Sequence, residues 1–131
     1  MVEIHAYSKA ASGGKQLSAH FKVREFACGD GSDAVLVAPR LVMVLETIRA
    51  HFGTAVKINS GYRTPQYNAK VNGVAHSQHC YGMAADISVS GQKPEMVAAF
   101  ARQLMPDWGG VGVYDSFCHI DVREAKADWK G

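Results

Sequence analysis

In HCYGMAAD, His79 to Asp86, an imidazole and a carboxylate stand on either side of a tyrosine-glycine turn. Further along, CHID, Cys118 to Asp121, repeats the pairing with His119 and Asp121. Both residue types ligate metals and both carry protons, so what matters is which of them meet in space. Side chains alternate along a strand. Ala84, Asp86 and Ser88 therefore share one face of a strand over 84–89, and His119 and Asp121 share one face of another. If those strands pair, Asp86 and His119 converge and His79 reaches them from its loop. Two histidines and one carboxylate form a zinc set that leaves the fourth position to water. A histidine beside a strand is as readily hydrogen-bonded as ligated, and spacing alone leaves the two readings level.

These residues need a frame, and the chain supplies signals for one. Pro39 opens a helix in which Leu41, Val44, Leu45, Ile48 and Phe52 recur at helical spacing, and Gly53 stands where a helix stops. AVKIN, 55–59, reads as a strand. Thr64-Pro65 is an N-cap followed by proline at the first helical position, opening a short helix to Asn72 before Gly73. Lys93 to Met105 is amphipathic, with Met96, Val97, Phe100 and Leu104 expected inward. Val111–Tyr114 and Cys118–Val122 are expected as strands joined by a tight turn at Asp115, Ser116 and Phe117. Residues 1–7 alternate weakly, as a short edge strand would, and 8–16 are small, polar and glycine-bearing. The expected organisation is an N-terminal arm or linker over 1–16 and one catalytic domain over 17–131. Helices followed by a β-rich half indicate the α+β class.

Composition narrows the function. The 131 residues suffice for one domain, and a net charge of +2 with no Lys/Arg run argues against nucleic-acid binding. No apolar run approaches the roughly 18 residues that span a bilayer, so membrane insertion is not expected. The N-terminus shows no apolar secretory stretch, and the three cysteines, an odd number without a CxxC, fit a reduced compartment better than a disulfide framework.

Three ordered blocks sharpen this picture: SGYRTPQYN (Ser60–Asn68), SQHCYGMAADI (Ser77–Ile87) and GGVGVYDSFCHIDV (Gly109–Val122). Together they resemble the zinc D-alanyl-D-alanine carboxypeptidase and peptidoglycan endopeptidase family, whose fold is shared with the hedgehog signalling domain. The element S-x-H-x-x-G-x-A-x-D, here Ser77, His79, Gly82, Ala84 and Asp86, carries most of the likeness. The resemblance implies helices packed on a small antiparallel sheet, one zinc ion, and His79, Asp86 and His119 as its ligands. It also implies a peptidoglycan peptide as substrate, cleaved as a carboxypeptidase or an endopeptidase. Arg63 is the residue it assigns to gripping the substrate, a task suited to a planar guanidinium; the competing reading is an arginine satisfying a buried turn. Ser77 either holds substrate or binds its own loop.

Zinc lowers the pKa of a bound water toward about 7 and polarises a carbonyl, and a base must then move the proton to the leaving amine. Many relatives carry an acid three positions before the last histidine; here that residue is Ser116, which cannot serve. Asp121 is the expected base, on the same strand face as His119 and roughly 7 Å along it, and its alternative role is to orient that histidine. Asp115 is the second candidate, and His76 a further rim group. Cys118 faces away from His119 and is expected as a small buried hydrophobe. The leading reading is a zinc peptidase acting on the cell wall, endolysin-like, synthesised in the cytoplasm and released at lysis or associated with a virion or prophage. A monomer is expected, although no residue fixes the oligomeric state. The rivals are a metal-binding, wall-binding module without catalysis and a zinc dipeptidase acting on small soluble peptides.

Overall fold

The computed structural model describes residues 1–131. In chain order it contains β1 (His5–Ser8), α1 (Lys9–Ser12), β2 (Ala34–Val37), α2 (Pro39–Phe52), β3 (Val56–Ser60), α3 (Pro65–Lys70), β4 (Ala84–Val89), α4 (Pro94–Leu104), β5 (Gly110–Val113), β6 (Cys118–Asp121) and β7 (Ala127–Lys130). Tight 3₁₀ turns occupy Val23–Phe26 and Gln78–Tyr81. No helix is long and apolar enough to cross a membrane.

Residue parity along the central strands decides the architecture. Ala85, Ile87 and Val89 of β4, Val111 and Val113 of β5, and Cys118 and Ile120 of β6 all lie in the hydrophobic core. They meet Leu41, Leu45 and Ile48 of α2 and Val97, Ala98 and Ala101 of α4 in the same cluster. Each large aliphatic side chain fully withdrawn from water there stabilises the fold by about 1.5–3 kcal/mol. The opposite parity, Ala84 and Asp86, Gly110 and Gly112, His119 and Asp121, is left on the other face of the sheet. One face is the core and the other is free for chemistry.

The main sheet runs β3-β4-β6-β5-β7, and β1 pairs with β2 in a separate ribbon. Its pairs are antiparallel except β5 with β7, which are parallel. Register sets Asp86 opposite His119 and Ala84 opposite Asp121 across β4 and β6. On the other side of β6, Gly112 lies opposite His119 and Gly110 opposite Asp121. The α+β class and the pairing that the alternation argument required are both present.

Several expectations are corrected. Residues 1–16, expected as an arm or linker that opens on a short edge strand over 1–7, are tied to the domain through that strand. β1 is zipped to β2, and Asp33 holds the following turn through Ser8 Oγ (2.6 Å) and the backbone N–H of Ala10 (2.8 Å). Small polar residues there satisfy backbone groups instead of forming a linker. Met96 is 56% exposed, while Ala98 and Ala101 are buried, because α4 approaches the sheet closely through its alanines. The strands β2 and β7 were not expected. AVLV lacks alternation, and ADWK is too short for its period to stand out. The three cysteines are free thiols; Cys118 is buried, and burial pushes its thiol up to about 12.

Gly82 joins the ribbon to the site. It ends the turn that carries His79 with a left-handed φ of 74°, and its carbonyl accepts from Ala38 N–H at 2.8 Å. A Cβ at this position would stand 2.6 Å from the Leu36 carbonyl. Gly82→Ala is therefore expected to lower stability by at least about 1–3 kcal/mol, measured as a shifted denaturant midpoint with an unchanged slope.

Candidate metal centre

His79, Asp86 and His119 come together as the sequence predicted. One ligand atom from each lies within 4.8 Å of the others, and all three residues are buried. The strands supply Asp86 and His119 directly through their register. His79 comes from the 3₁₀ turn, whose first N–H groups are capped by Ser77: its Oγ accepts from His79 N–H at 3.2 Å. Each letter of the signature element thus has a local reason. Ser77 caps, Gly82 reverses the chain against β2, and Ala84 keeps the position opposite Asp121 small.

Each histidine has its tautomer set by a partner away from the centre. His79 Nδ1 lies 2.7 Å from Gly61 O, and a carbonyl only accepts, so Nδ1 carries the hydrogen and Nε2 presents a lone pair. That Nε2 is 3.2 Å from Asp86 Oδ1. His119 Nε2 lies 2.8 Å from Asp121 Oδ2, which leaves Nδ1, 3.1 Å from the same Asp86 oxygen. Ligand atoms around a tetrahedral ion at about 2.0–2.1 Å stand roughly 3.3–3.4 Å apart. The donor set fits zinc, and each imidazole nitrogen stands close to that spacing from Asp86 Oδ1, with outer partners arranged as metal-bound imidazoles require.

Asp121, expected as the general base, is placed differently. Its side chain is fully buried and stands behind His119 instead of lining the cleft. Oδ2 faces His119 Nε2 and accepts from Arg123 Nη2 at 2.7 Å; Oδ1 accepts from Arg123 Nε at 2.9 Å and Arg123 N at 3.1 Å. A carboxylate has about four lone-pair sites, and these contacts use them, so none remains to reach a substrate. The physical reason is the glycine on the neighbouring strand. A Cβ on Gly110 would stand 2.2 Å from Asp121 Oδ2, so its absence lets the carboxylate turn under His119. Asp115 and Ser116 are exposed on the β5–β6 turn and do not line the cleft.

Arg63 lies at the cleft with every guanidinium nitrogen engaged: Nε to Ser60 Oγ (3.0 Å), Nη1 to Asn68 Oδ1 (3.2 Å) and Nη2 to Asp86 Oδ2 (3.1 Å). It thereby ties one oxygen of Asp86 and leaves the other for the histidines. The residues that sequence reasoning missed are Asn68, Arg123 and Trp129. Trp129 crosses the space left by Gly112, comes within 5.0 Å of the His119 ring, and donates to Tyr114 Oη at 2.9 Å. The tryptophan in β7 was the available signal, since an aromatic facing Gly112 across a parallel pair has room to cover it.

The centre opens into a cleft of about 550 Å³. Val71, Val74, Tyr114, Phe117 and Trp129 line it, together with the exposed His76. A larger hollow, about 690 Å³, lies between α2 and the β1–β2 ribbon, but its lining is mainly apolar and holds no ligand cluster.

Burial pushes the Asp86 and Asp121 carboxyls up. The proximity of His119 and His79 to the first, and of His119 and Arg123 to the second, outweighs burial and holds both well below the usual carboxylate range. For His119 burial favours the neutral ring, but Asp121 and Asp86 outweigh it and raise its pKa.

The sequence matches the family profile described as Peptidase M15 over residues 13–121. No curated protein matches the chain.

Two outcomes follow from the geometry. Asp121→Asn should weaken zinc affinity by about 10–100-fold and His79→Ala should abolish stoichiometric binding, both read by chelator competition; unchanged affinity in Asp121→Asn would sink the orienting role. The second concerns pH in the metal-free protein. The two depressed carboxylates contribute stability above about pH 3.9, lost as pH falls through their folded values. His119 contributes below about pH 6.5, lost as pH rises through its raised folded value. The metal-free protein should therefore unfold at a higher denaturant concentration at about pH 5.5 than at about pH 8, with zinc reversing that order because it needs deprotonated imidazoles.

Proposed function

This chain belongs to the peptidase M15 family, and on that premise we propose that it hydrolyses a peptide bond in bacterial peptidoglycan, in a stem or a cross-link peptide. The observation that carries the proposal is the convergence of His79 Nε2 and His119 Nδ1 on one oxygen of Asp86 at the floor of an open cleft. Zinc held by these residues supplies Lewis-acid polarisation of the scissile carbonyl and a water acidic enough to attack near neutral pH.

The chain's own residues do the rest. Asp121, braced by Arg123, fixes the His119 ring and its tautomer. Arg63, held by Ser60 and Asn68, fixes Asp86. Amide hydrolysis must carry a proton from the attacking water to the leaving amine. Of the groups lining the cleft outside the ligand set and the arginines, His76 has the side chain suited to that task. It is exposed, its ring Nδ1 lies 3.4 Å from Tyr81 Oη, and its backbone is held at a φ of 58°. A non-glycine residue kept in that region is costly, and such positions concentrate at functional sites. We assign the proton transfer to His76.

The missing acid at Ser116 favours a second reading, a zinc-binding wall module without catalysis. Digestion of purified sacculi by the zinc-loaded protein, followed by mass spectrometry of the muropeptides, separates the two. New termini should appear, vanish with chelator and return with zinc. His76→Ala should lower turnover by about 10²–10⁴-fold while keeping its zinc. A zinc-loaded protein that binds sacculi and releases nothing would establish the module instead, and turnover confined to free dipeptides would establish a dipeptidase.

A further inference from the structure

Residues 71–76 line the cleft, yet they contribute no side chain to the core. Val71 is 41% and Val74 74% exposed, and Asn72, Ala75 and His76 are exposed as well. The backbone N–H groups of Val74, Ala75 and His76 donate to no protein group. Asn72 and His76 both stand in the left-handed region, at φ of 59° and 58°, a conformation that the surroundings must maintain. A segment with so little packing opens readily unless a specific contact holds it.

Asn68 supplies that contact. It is the one buried residue of α3, at 4% exposure. Its Nδ2 donates to Val74 O at 2.8 Å, and its Oδ1 accepts from Arg63 Nη1 at 3.2 Å. Arg63 Nη2 in turn donates to Asp86 Oδ2 at 3.1 Å. A guanidinium only donates and a carbonyl only accepts, so a side-chain amide, with one acceptor and one donor end, joins them in a single orientation. A carboxylate in its place would serve the arginine and repel the carbonyl. Gly73 completes the fit. Its N–H donates to Asn68 O at 2.8 Å, and a Cβ on it would stand 1.9 Å from Asn68 Oδ1. The loop backbone closes on the amide because that Cβ is missing.

We propose that Asn68 is a positioning residue that latches the loop of residues 71–76 to the metal ligand Asp86 through Arg63, and so sets where His76 stands at the cleft. Its catalytic consequence rests on the peptidase reading and on the proton transfer assigned to His76. The latch itself does not.

Asn68→Asp tests this in the zinc-loaded protein because it separates the two ends of the amide. It keeps an acceptor for Arg63 and sets a second acceptor against Val74 O, so zinc stoichiometry should hold while the loop is released. Backbone amide order parameters from NMR relaxation should fall over residues 71–76 from about 0.85 to below about 0.6, with those of α2 and β4 unchanged. Gly73→Ala leaves Asn68 in place and presses on its Oδ1 from the loop side; it should release the loop in the same way, and it carries the test alone if Asn68→Asp does not fold. On cleavable wall peptides kcat should fall by about 10²-fold with KM little changed. Adding Asn68→Asp to His76→Ala should lower turnover no further, since both changes remove the same group from its place. A merely structural asparagine would instead give losses that add and a loss of order throughout the molecule, and either result would overturn the proposal. Order parameters that stay high in both variants would overturn it as well. Failure of the peptidase reading is distinguishable: if no peptide is cleaved, the order parameters still decide whether Asn68 holds the loop.

Discussion

A single carboxylate oxygen, Asp86 Oδ1, has two imidazole nitrogens facing it at 3.1 and 3.2 Å, and the rest of the site is arranged around the cost of burying it. An ionised carboxylate taken out of water is tolerated only when paired and hydrogen-bonded. Here the second oxygen is held by Arg63, and the two histidines complete the shell. Removing any one of these partners leaves a buried charge exposed to the others. That is why the register of β4 against β6, and the position of the turn that carries His79, are closely determined.

The same logic recurs one layer out. Asp121 is a second buried carboxylate with a histidine before it and an arginine behind it. The chain thus repeats one unit, imidazole, carboxylate, guanidinium, side by side on the same face of the sheet. Within each unit the arginine neutralises the carboxylate, and the carboxylate can then orient a histidine without drawing the site toward net negative charge. Such a site is organised before metal arrives, and the outer pairs keep the ring nitrogens directed inward.

How far the sequence reveals this depends on which rule is being asked. Period-two alternation says which residues share a face, and for Asp86 and His119 that sufficed, because strand pairing converts a shared face into proximity. For Asp121 the rule identified the face and the distance but not what lies between. The lone pairs of its carboxylate are taken by Arg123, two residues on and past the last predicted strand position, and no periodicity in the sequence predicts a contact that doubles back along its own chain. The helix of Pro39 to Phe52 was legible through its cap, its spacing and its stop at Gly53. The ribbon of β1 and β2 was not, since four-residue strands carry too little pattern and their pairing is decided by Asp33 and by the approach of Gly82.

β5 shows how the catalytic face and the fold constrain each other. Its two glycines are what let Asp121 turn under His119 and Trp129 lie over it, yet glycine within a strand weakens that strand by removing side-chain packing and raising the entropy lost on folding. Two features offset the loss. The alternate residues Val111 and Val113 are buried in the core, and β5 is paired on both edges, to β6 and to β7. β7 lies beyond the residues matched to the family, 13–121, but it closes the edge that the glycines would otherwise leave weak. It also returns a side chain to the gap, since Trp129 occupies the volume that Gly112 vacates. The C-terminal strand is therefore part of the metal centre's architecture. It makes a glycine-bearing strand stable enough to carry the turn into β6, and hence to hold His119 opposite Asp86.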